Sequence, residues 1–325
     1  MRAFVTGATG FVGGSLARRL RMRGDDVVAL VRDPGGARAL EELGCEVVAG
    51  DLSSVDMLRA AMEGCDAVFH VAAMYRIGVP VSERDRMYEA NVQGTSNALG
   101  AARLAAVRRI LYVSTNSVLG DTGGTIVDET HERRLGRSLS WYDQTKLLAH
   151  ELVRDLIAEG APIVVVQPGG VYGPGDHTLM GPMLERALRG KPILLALGSV
   201  GLNFVYVDDL AGGILLAHDC GQIGETYILG GEIATLRGAI DKAFEVGGHR
   251  PRVLSVPTFL LRLAVPLGLL IRLNIRELIS ASDGVTYWGR DDKARRELGY
   301  APRDLEAGLR DMLGALRSGR LSQRD

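Results

Sequence analysis

The stretch TGATGFVGG, residues 6–14, spaces three glycines as Gly7-x-x-Gly10-x-x-Gly13. With 42 glycines in 325 residues, that spacing arises by chance about 0.7 times in a chain of this composition. The surroundings therefore decide its meaning. The apolar run AFV (3–5) leads straight into the glycines, and the amphipathic stretch SLARRLRMRG (15–24) follows, with Gly24 as its stop. A glycine turn between a strand and a helix start aims backbone N–H groups, and the positive helix end, at the place where a dinucleotide pyrophosphate binds.

Outward from that stretch the rhythm repeats. Short apolar runs VVALV (27–31), CEVVAGD (45–51), AVFHVAA (67–73), RILYVS (109–114) and PIVVVQP (162–168) alternate with helical patterns such as SVDMLRAAMEG (54–64), which Ser53 or Ser54 can cap. Near-continuous apolar strands between helices predict a parallel sheet covered on both faces. The fold class expected is α/β: a Rossmann-type doubly wound sheet with a smaller, mostly helical C-terminal substrate region. Residues 1–168 form the dinucleotide-binding part, NFVYVDD (203–209) is a strand followed by the helix LAGGILLAHD, and 203–230 returns to that part. Residues 169–202 and 231–325 form the substrate side, with Thr235 as a cap and DDKARRELGY and DLEAGLRDML as amphipathic helices.

Composition narrows the class. The chain is 46% apolar and 24% charged, with a formal net charge of −1, so no overall electrostatic pull toward nucleic acid or an anionic membrane is expected. Cys45, Cys65 and Cys220 are three and well separated in sequence, which suits a reduced, cytoplasmic setting without disulfides and provides no metal-ligand pair. No basic-apolar signal opens the chain. The apolar segment 253–273 is interrupted by Pro257, Arg262 and Pro266, too short a run on either side to span a bilayer. It reads as a helix pair over an apolar cleft, with a membrane-touching surface as the other reading.

The chemistry begins at Tyr142-Asp-Gln-Thr-Lys146. Positions i and i+4 share a helix face, and a neighbouring ammonium favours the phenolate, giving a usable general acid/base. With four lysines and nine tyrosines in the chain, such a pair arises by chance about 0.1 times. LYVSTNSVLG (111–120) ends a strand 27 residues before Tyr142. A hydroxyl there can hydrogen-bond a substrate carbonyl while the phenol supplies the proton.

Together these pieces, with GDL, NVQGT, QPGGVYGPGD and NFVYVDDLA between them, resemble the extended short-chain dehydrogenase/reductase superfamily, the NAD-dependent epimerase/dehydratase family. In character the sequence is similar to members like dihydroflavonol 4-reductases and beta-hydroxysteroid dehydrogenases. The resemblance implies that Gly7, Gly10 and Gly13, with Phe11 and Val12, hold the pyrophosphate. It places Asp51 and Leu52 at the adenine, Ala72 and Ala73 at the nicotinamide ribose, Asn91 as a structural asparagine, and Pro168, Gly169, Gly170 and Val171 beside the nicotinamide. Thr115 falls on the catalytic Ser/Thr, with Ser114 before it and Ser117 as a substitute, and Tyr142 and Lys146 complete the catalytic set. A homodimer is the family's expectation.

Cofactor choice turns on the end of the second strand. An acid there accepts from the ribose hydroxyls of NAD; here Val31 is followed by Arg32, which suits the 2′-phosphate of NADP, while Asp33 argues for NAD. Substrate class turns on arginines. Nucleotide-sugar members of the family carry guanidiniums where this chain has Leu202 and Ser280, and either Arg76 or Arg290 could stand in. The expected reaction is hydride exchange between NADP(H) and a hydrophobic carbonyl or alcohol. The alternatives are a nucleotide-sugar epimerase or dehydratase holding NAD, and a dinucleotide sensor without turnover. Met74, Tyr75, Arg76, Ser117 and His177 are the candidate substrate contacts. His70 reads as a satisfied strand histidine, and HERR (131–134) as a solvated charged face.

Overall fold

The computed structural model describes residues 1–131, 133, 140–178, 180–269 and 272–318. Its centre is a seven-stranded, all-parallel sheet built from β1 (Arg2–Thr6), β2 (Asp26–Val31), β3 (Glu46–Ala49), β4 (Ala67–His70), β5 (Arg109–Val113), β6 (Ile163–Pro168) and β10 (Thr226–Leu229), in the order β10-β6-β5-β4-β1-β2-β3. The order reverses direction at β1, so the loops after β1 and β4 diverge and leave a crevice at the carboxyl edge. β4 and β6 are buried at every residue, as a sheet covered on both faces demands. One core joins Val5, Leu16 and Ala29 to Leu210 and Ile214; the other joins Phe4 and Val68 to Leu58, Leu99 and Val153.

The punctuation works as the sequence suggests. Gly24, at φ 88°, turns the chain after the helix Phe11–Met22, and Ser54 caps the helix Val55–Met62 by accepting from the Met57 N–H. Thr235 caps Leu236–Val246, and Asp304, which the sequence reading did not single out, caps Leu305–Arg317.

Two expectations need correction. The strand placed at 203–209 forms instead as β9 (Gly201–Tyr206) and does not join the large sheet. It lies between β7 (Gly170–Tyr172), parallel, and β11 (Glu232–Thr235), antiparallel, in a three-stranded sheet. Val207 already opens the next helix, whose first turn holds Asp208 and Asp209; acids there suit the positive helix end. The returning strand is β10, four residues long. Second, 253–273 is not a helix pair. It begins as β12 (Val253–Val256), paired in parallel with β8 (Ile193–Ala196), and continues through Pro257 into the short helix Thr258–Leu263 and a 3-10 turn at Val265–Leu269. Four apolar-rich residues carry no period that separates strand from helix; the partner strand settles it. No helix among the described residues is long and apolar enough to cross a membrane.

Candidate active site

Because every strand of the large sheet runs the same way, the segments following each of them gather at one edge. Gly7–Gly13 follow β1, Arg32 follows β2, Asp51 and Leu52 follow β3, Ala72–Arg76 follow β4, Ser114 and Thr115 follow β5, and Pro168 closes β6.

The glycine turn is a tight cradle. Gly7 sits at φ 74°, and a Cβ there would stand 2.9 Å from the Ala72 backbone. A Cβ on Gly13 would stand 2.1 Å from the Gly7 carbonyl oxygen. The helix that begins at Phe11 has no side-chain cap at Gly10 and no acid in its first turn, so its leading N–H groups and partial positive charge remain available to an anion. A dinucleotide pyrophosphate fits these residues.

Arg32 is exposed, and its charge acts on Asp51. Asp51 is held below the usual carboxylate range first by the Ser53 hydroxyl, then by the Ser53 N–H and the Arg32 charge. Asp33, the rival for the ribose, accepts from the Gly35 N–H and caps its own turn.

The helix Trp141–Ala158 carries Tyr142 and Lys146, both buried. Ser140 and Asp143 begin it with a reciprocal capping box: the Ser140 Oγ accepts from the Asp143 N–H at 3.1 Å, and the Asp143 carboxylate accepts from the Ser140 N–H at 3.3 Å. That Ser-x-x-Asp spacing was visible before the helix. The Lys146 ammonium donates to the Val113 carbonyl at 3.0 Å and lies 5.0 Å from the centre of the Tyr112 ring. Burial lowers its pKa to about 7.

Tyr142 departs from expectation. Its pKa is raised, not drawn toward neutrality: burial dominates, the neighbouring Tyr75 and Asp143 add to it, and the Thr115 hydroxyl partly offsets it. Lys146, spent on Val113, does not reverse the balance. Thr115 also accepts from the Ser117 N–H at 3.2 Å. The Tyr75 ring meets Tyr142 edge-on, with centroids 4.9 Å apart.

A buried scaffold stands behind these groups. Asn91, the structural asparagine the resemblance implies, is fully engaged: it accepts from the Met74 N–H at 2.7 Å and donates to the Met74 carbonyl and the Thr145 Oγ1, each at 3.0 Å. It sits in a π-helical turn, Glu89–Gln93. His70 is the satisfied strand histidine expected. Thr95 donates its hydroxyl proton to the Asn91 carbonyl, so it accepts from His70 Nε2–H at 3.0 Å, and Nδ1 accepts from Thr6 at 2.9 Å. Burial, then the Lys146 charge, depress the His70 pKa to about 3. Ser114 bonds His150 at 3.1 Å.

The substrate candidates divide. Met74 and Tyr75 lie at the Tyr142 end of the crevice. Arg76 is committed to Glu83 and to the Arg272 carbonyl, both at 2.8 Å. His177 is exposed, and its buried neighbour Asp176 acts electrostatically on Tyr75. Gly169 packs so closely on Asn203 that a Cβ would stand 2.2 Å from its carbonyl oxygen. The Leu202 side chain reaches Gly170, and Ser280 donates to the Arg276 carbonyl. Arg290 lies 3.8 Å from Asp292. Within HERR, only His131 and Arg133 lie among the described residues. Sequence reasoning missed Glu277, a buried carboxylate that accepts from the Trp141 N–H at 2.9 Å and pairs with Arg84 at 3.2 Å, tying the Tyr142 helix to the C-terminal region. No motif marks it; only the fold brings it there.

The sequence model of the NAD dependent epimerase/dehydratase family matches residues 3–230. The chain belongs to that family. It is an enzyme of the extended short-chain dehydrogenase/reductase type, with a nicotinamide dinucleotide as its class of cofactor. It is 36% identical over 314 residues to a 4-hydroxy-2-methyl-3-oxo-4-farnesyl-3,4-dihydroquinoline-1-oxide ketoreductase of Stigmatella aurantiaca, covering 93% of this chain and 92% of the relative. It is 35% identical over 225 residues to a 3 beta-hydroxysteroid dehydrogenase/Delta 5-->4-isomerase of Mycobacterium tuberculosis, covering 66% of this chain and 60% of the relative. The crystal structure of gox2253 superposes with a TM-score of 0.83 at 35% identity, covering 98% of this chain and 99% of that one.

Proposed function

We propose that this family member is an NADP-dependent reductase that transfers hydride to the carbonyl of a hydrophobic small molecule, with Tyr142 as the general acid. The observation that carries the reading is the buried Tyr142 phenol, beside the Thr115 hydroxyl at the carboxyl edge of the sheet. A phenol kept protonated is equipped to give a proton to a developing alkoxide.

The dinucleotide supplies the hydride when bound. Gly7, Gly10 and Gly13 hold its pyrophosphate, and Arg32 meets the 2′-phosphate. Thr115 and Tyr142 direct their hydroxyls at the substrate oxygen, and Tyr142 releases its proton to that oxygen. Lys146, fixed by Val113, keeps its ammonium one helical turn from Tyr142. Residues 169–202 and 231–325 wall the substrate side, where Leu202 offers hydrocarbon at a position that a sugar diphosphate would need charged. Arg76 and Arg290 are both paired with acids, which disfavours a role as replacements. The ketoreductase and hydroxysteroid dehydrogenase relatives bear names of apolar substrates, in keeping with this choice.

The test is consumption of NADPH and NADH, followed by nicotinamide absorbance, across a panel of apolar ketones. Wild type turns over with NADPH in preference, and Tyr142→Phe loses about 10²–10⁴-fold while still binding cofactor. Undiminished turnover in Tyr142→Phe overturns the acid assignment. Tightly held NAD with sugar-nucleotide interconversion and no net oxidation favours the epimerase reading.

A further inference from the structure

The near-zero net charge of the whole chain conceals one lopsided region. Between Val246 and Arg276 stand five arginines, at 250, 252, 262, 272 and 276, and no aspartate or glutamate. All five are exposed. Their guanidiniums make no ion pair or hydrogen bond among the described residues, whereas Arg23, Arg76, Arg237, Arg295 and Arg303 elsewhere are held by carboxylates. The flanking acid Glu277 is buried against Arg84, and Asp283 bonds Thr258 at 3.2 Å.

Exposed hydrocarbon occupies the same segment. Leu254, Phe259, Leu260 and Leu263 are 70, 61, 45 and 72% exposed, and Leu194, in register with Leu254 across β8 and β12, is 64% exposed. The helix Thr258–Leu263 is seated by its other side: Leu261, Ala264 and Val265 pack on Leu197, Ile275 and Ile279. Beside it opens a cavity of about 500 Å³ lined by Arg262, Val265, Pro266, Arg276, Ile279 and Ser280. Val265, Pro266 and Ile279 give it an apolar wall, and Ser280 and two guanidiniums a polar one.

We infer that this face docks on an anionic phospholipid bilayer, with Phe259, Leu260 and Leu263 entering the headgroup boundary and the five arginines meeting lipid phosphates. Apolar residues bracketed by cations, without a spanning helix, are what interfacial association requires. A second copy of this chain is a poorer occupant, because a two-fold interface would set like charges face to face. The inference rests on this surface alone and stands whether or not the proposed reaction does.

The test is flotation of the full chain with vesicles of phosphatidylcholine alone or of phosphatidylcholine with phosphatidylglycerol, at low and high salt. The expected result is association with the anionic vesicles, released by salt, and little with the neutral ones. Joint Arg262→Gln and Arg276→Gln substitution weakens partitioning about thirtyfold, at about fivefold for each charge removed. Phe259→Ser with Leu263→Ser weakens it as well, and Leu104→Ser, an exposed leucine elsewhere, leaves it unchanged. Each variant is checked for an unaltered melting temperature. Absence of binding to anionic vesicles, or binding that all three variants retain, overturns the inference. So does a salt-sensitive self-association that the same substitutions abolish while vesicles are ignored.

Discussion

The Lys146 ammonium donates to the Val113 carbonyl across 3.0 Å, from the Trp141–Ala158 helix to the end of the central strand β5. This bond fixes the depth at which the helix sits on the sheet, and it does so with a cation removed from water.

That cation makes stability depend on pH. Lys146 has its pKa lowered by burial to about 7, against 10.5 for a free lysine. Between these values the unfolded chain binds more protons, so stability rises with pH there. The cost of burying the charge is fully present below about pH 7 and vanishes above the unfolded value. Lys146→Met is therefore expected to be more stable than wild type near pH 6.5, by on the order of 4 kcal/mol, with the difference closing toward pH 10.5. Denaturant melts of both proteins across that range check it; a difference independent of pH would refute it.

Gly13 leaves no room for a methyl group. The added Cβ would meet the Gly7 carbonyl oxygen at 2.1 Å and its carbon at 2.6 Å, and backbone cannot swing aside as a side chain can. Gly13→Ala should cost about 1–3 kcal/mol of stability and weaken NADPH binding at least about tenfold, since the cradle must deform. Gly24→Ala, strained at φ 88° but with nothing within 4 Å, should cost stability alone. Cofactor titration by fluorescence, alongside thermal melts, separates the two.

Asn91 spends its side chain on Met74 and Thr145. In Asn91→Ala the buried Thr145 hydroxyl and two partly buried Met74 groups lose their partner, at a cost of about 3 kcal/mol. The loop after β4 and the Tyr142 helix are then no longer tied together, so kcat should fall more than cofactor affinity. Steady-state kinetics and a denaturant melt test this; an unchanged kcat would show that the tie is dispensable.

On the proposed assignment, Arg32 distinguishes the two cofactors. A charge-assisted bond to the 2′-phosphate contributes about 1.5–3 kcal/mol, so Arg32→Asp should weaken NADPH binding about 10- to 100-fold and spare NADH. Paired titrations decide it, and an equal loss for both cofactors would refute the selective role.

The sequence by itself determined what depends on neighbours along the chain. The glycine turn, the strand-helix alternation, the Tyr142–Lys146 face and the caps at Ser54 and Thr235 are local, because backbone freedom, periodicity and capping act within a few residues. Parallel strands then gather the loops at one edge without further instruction. Tertiary structure decided the rest. β9 left the large sheet because its partners are β7 and β11, and β12 became a strand because β8 lies beside it. Glu277 reached the catalytic helix across 136 residues, and Arg76 was drawn onto Glu83 and Arg272. The Tyr142 phenol stays protonated because burial outweighs a nearby cation already bonded elsewhere. Desolvation is set by everything packed around a group, and no spacing within a helix encodes it.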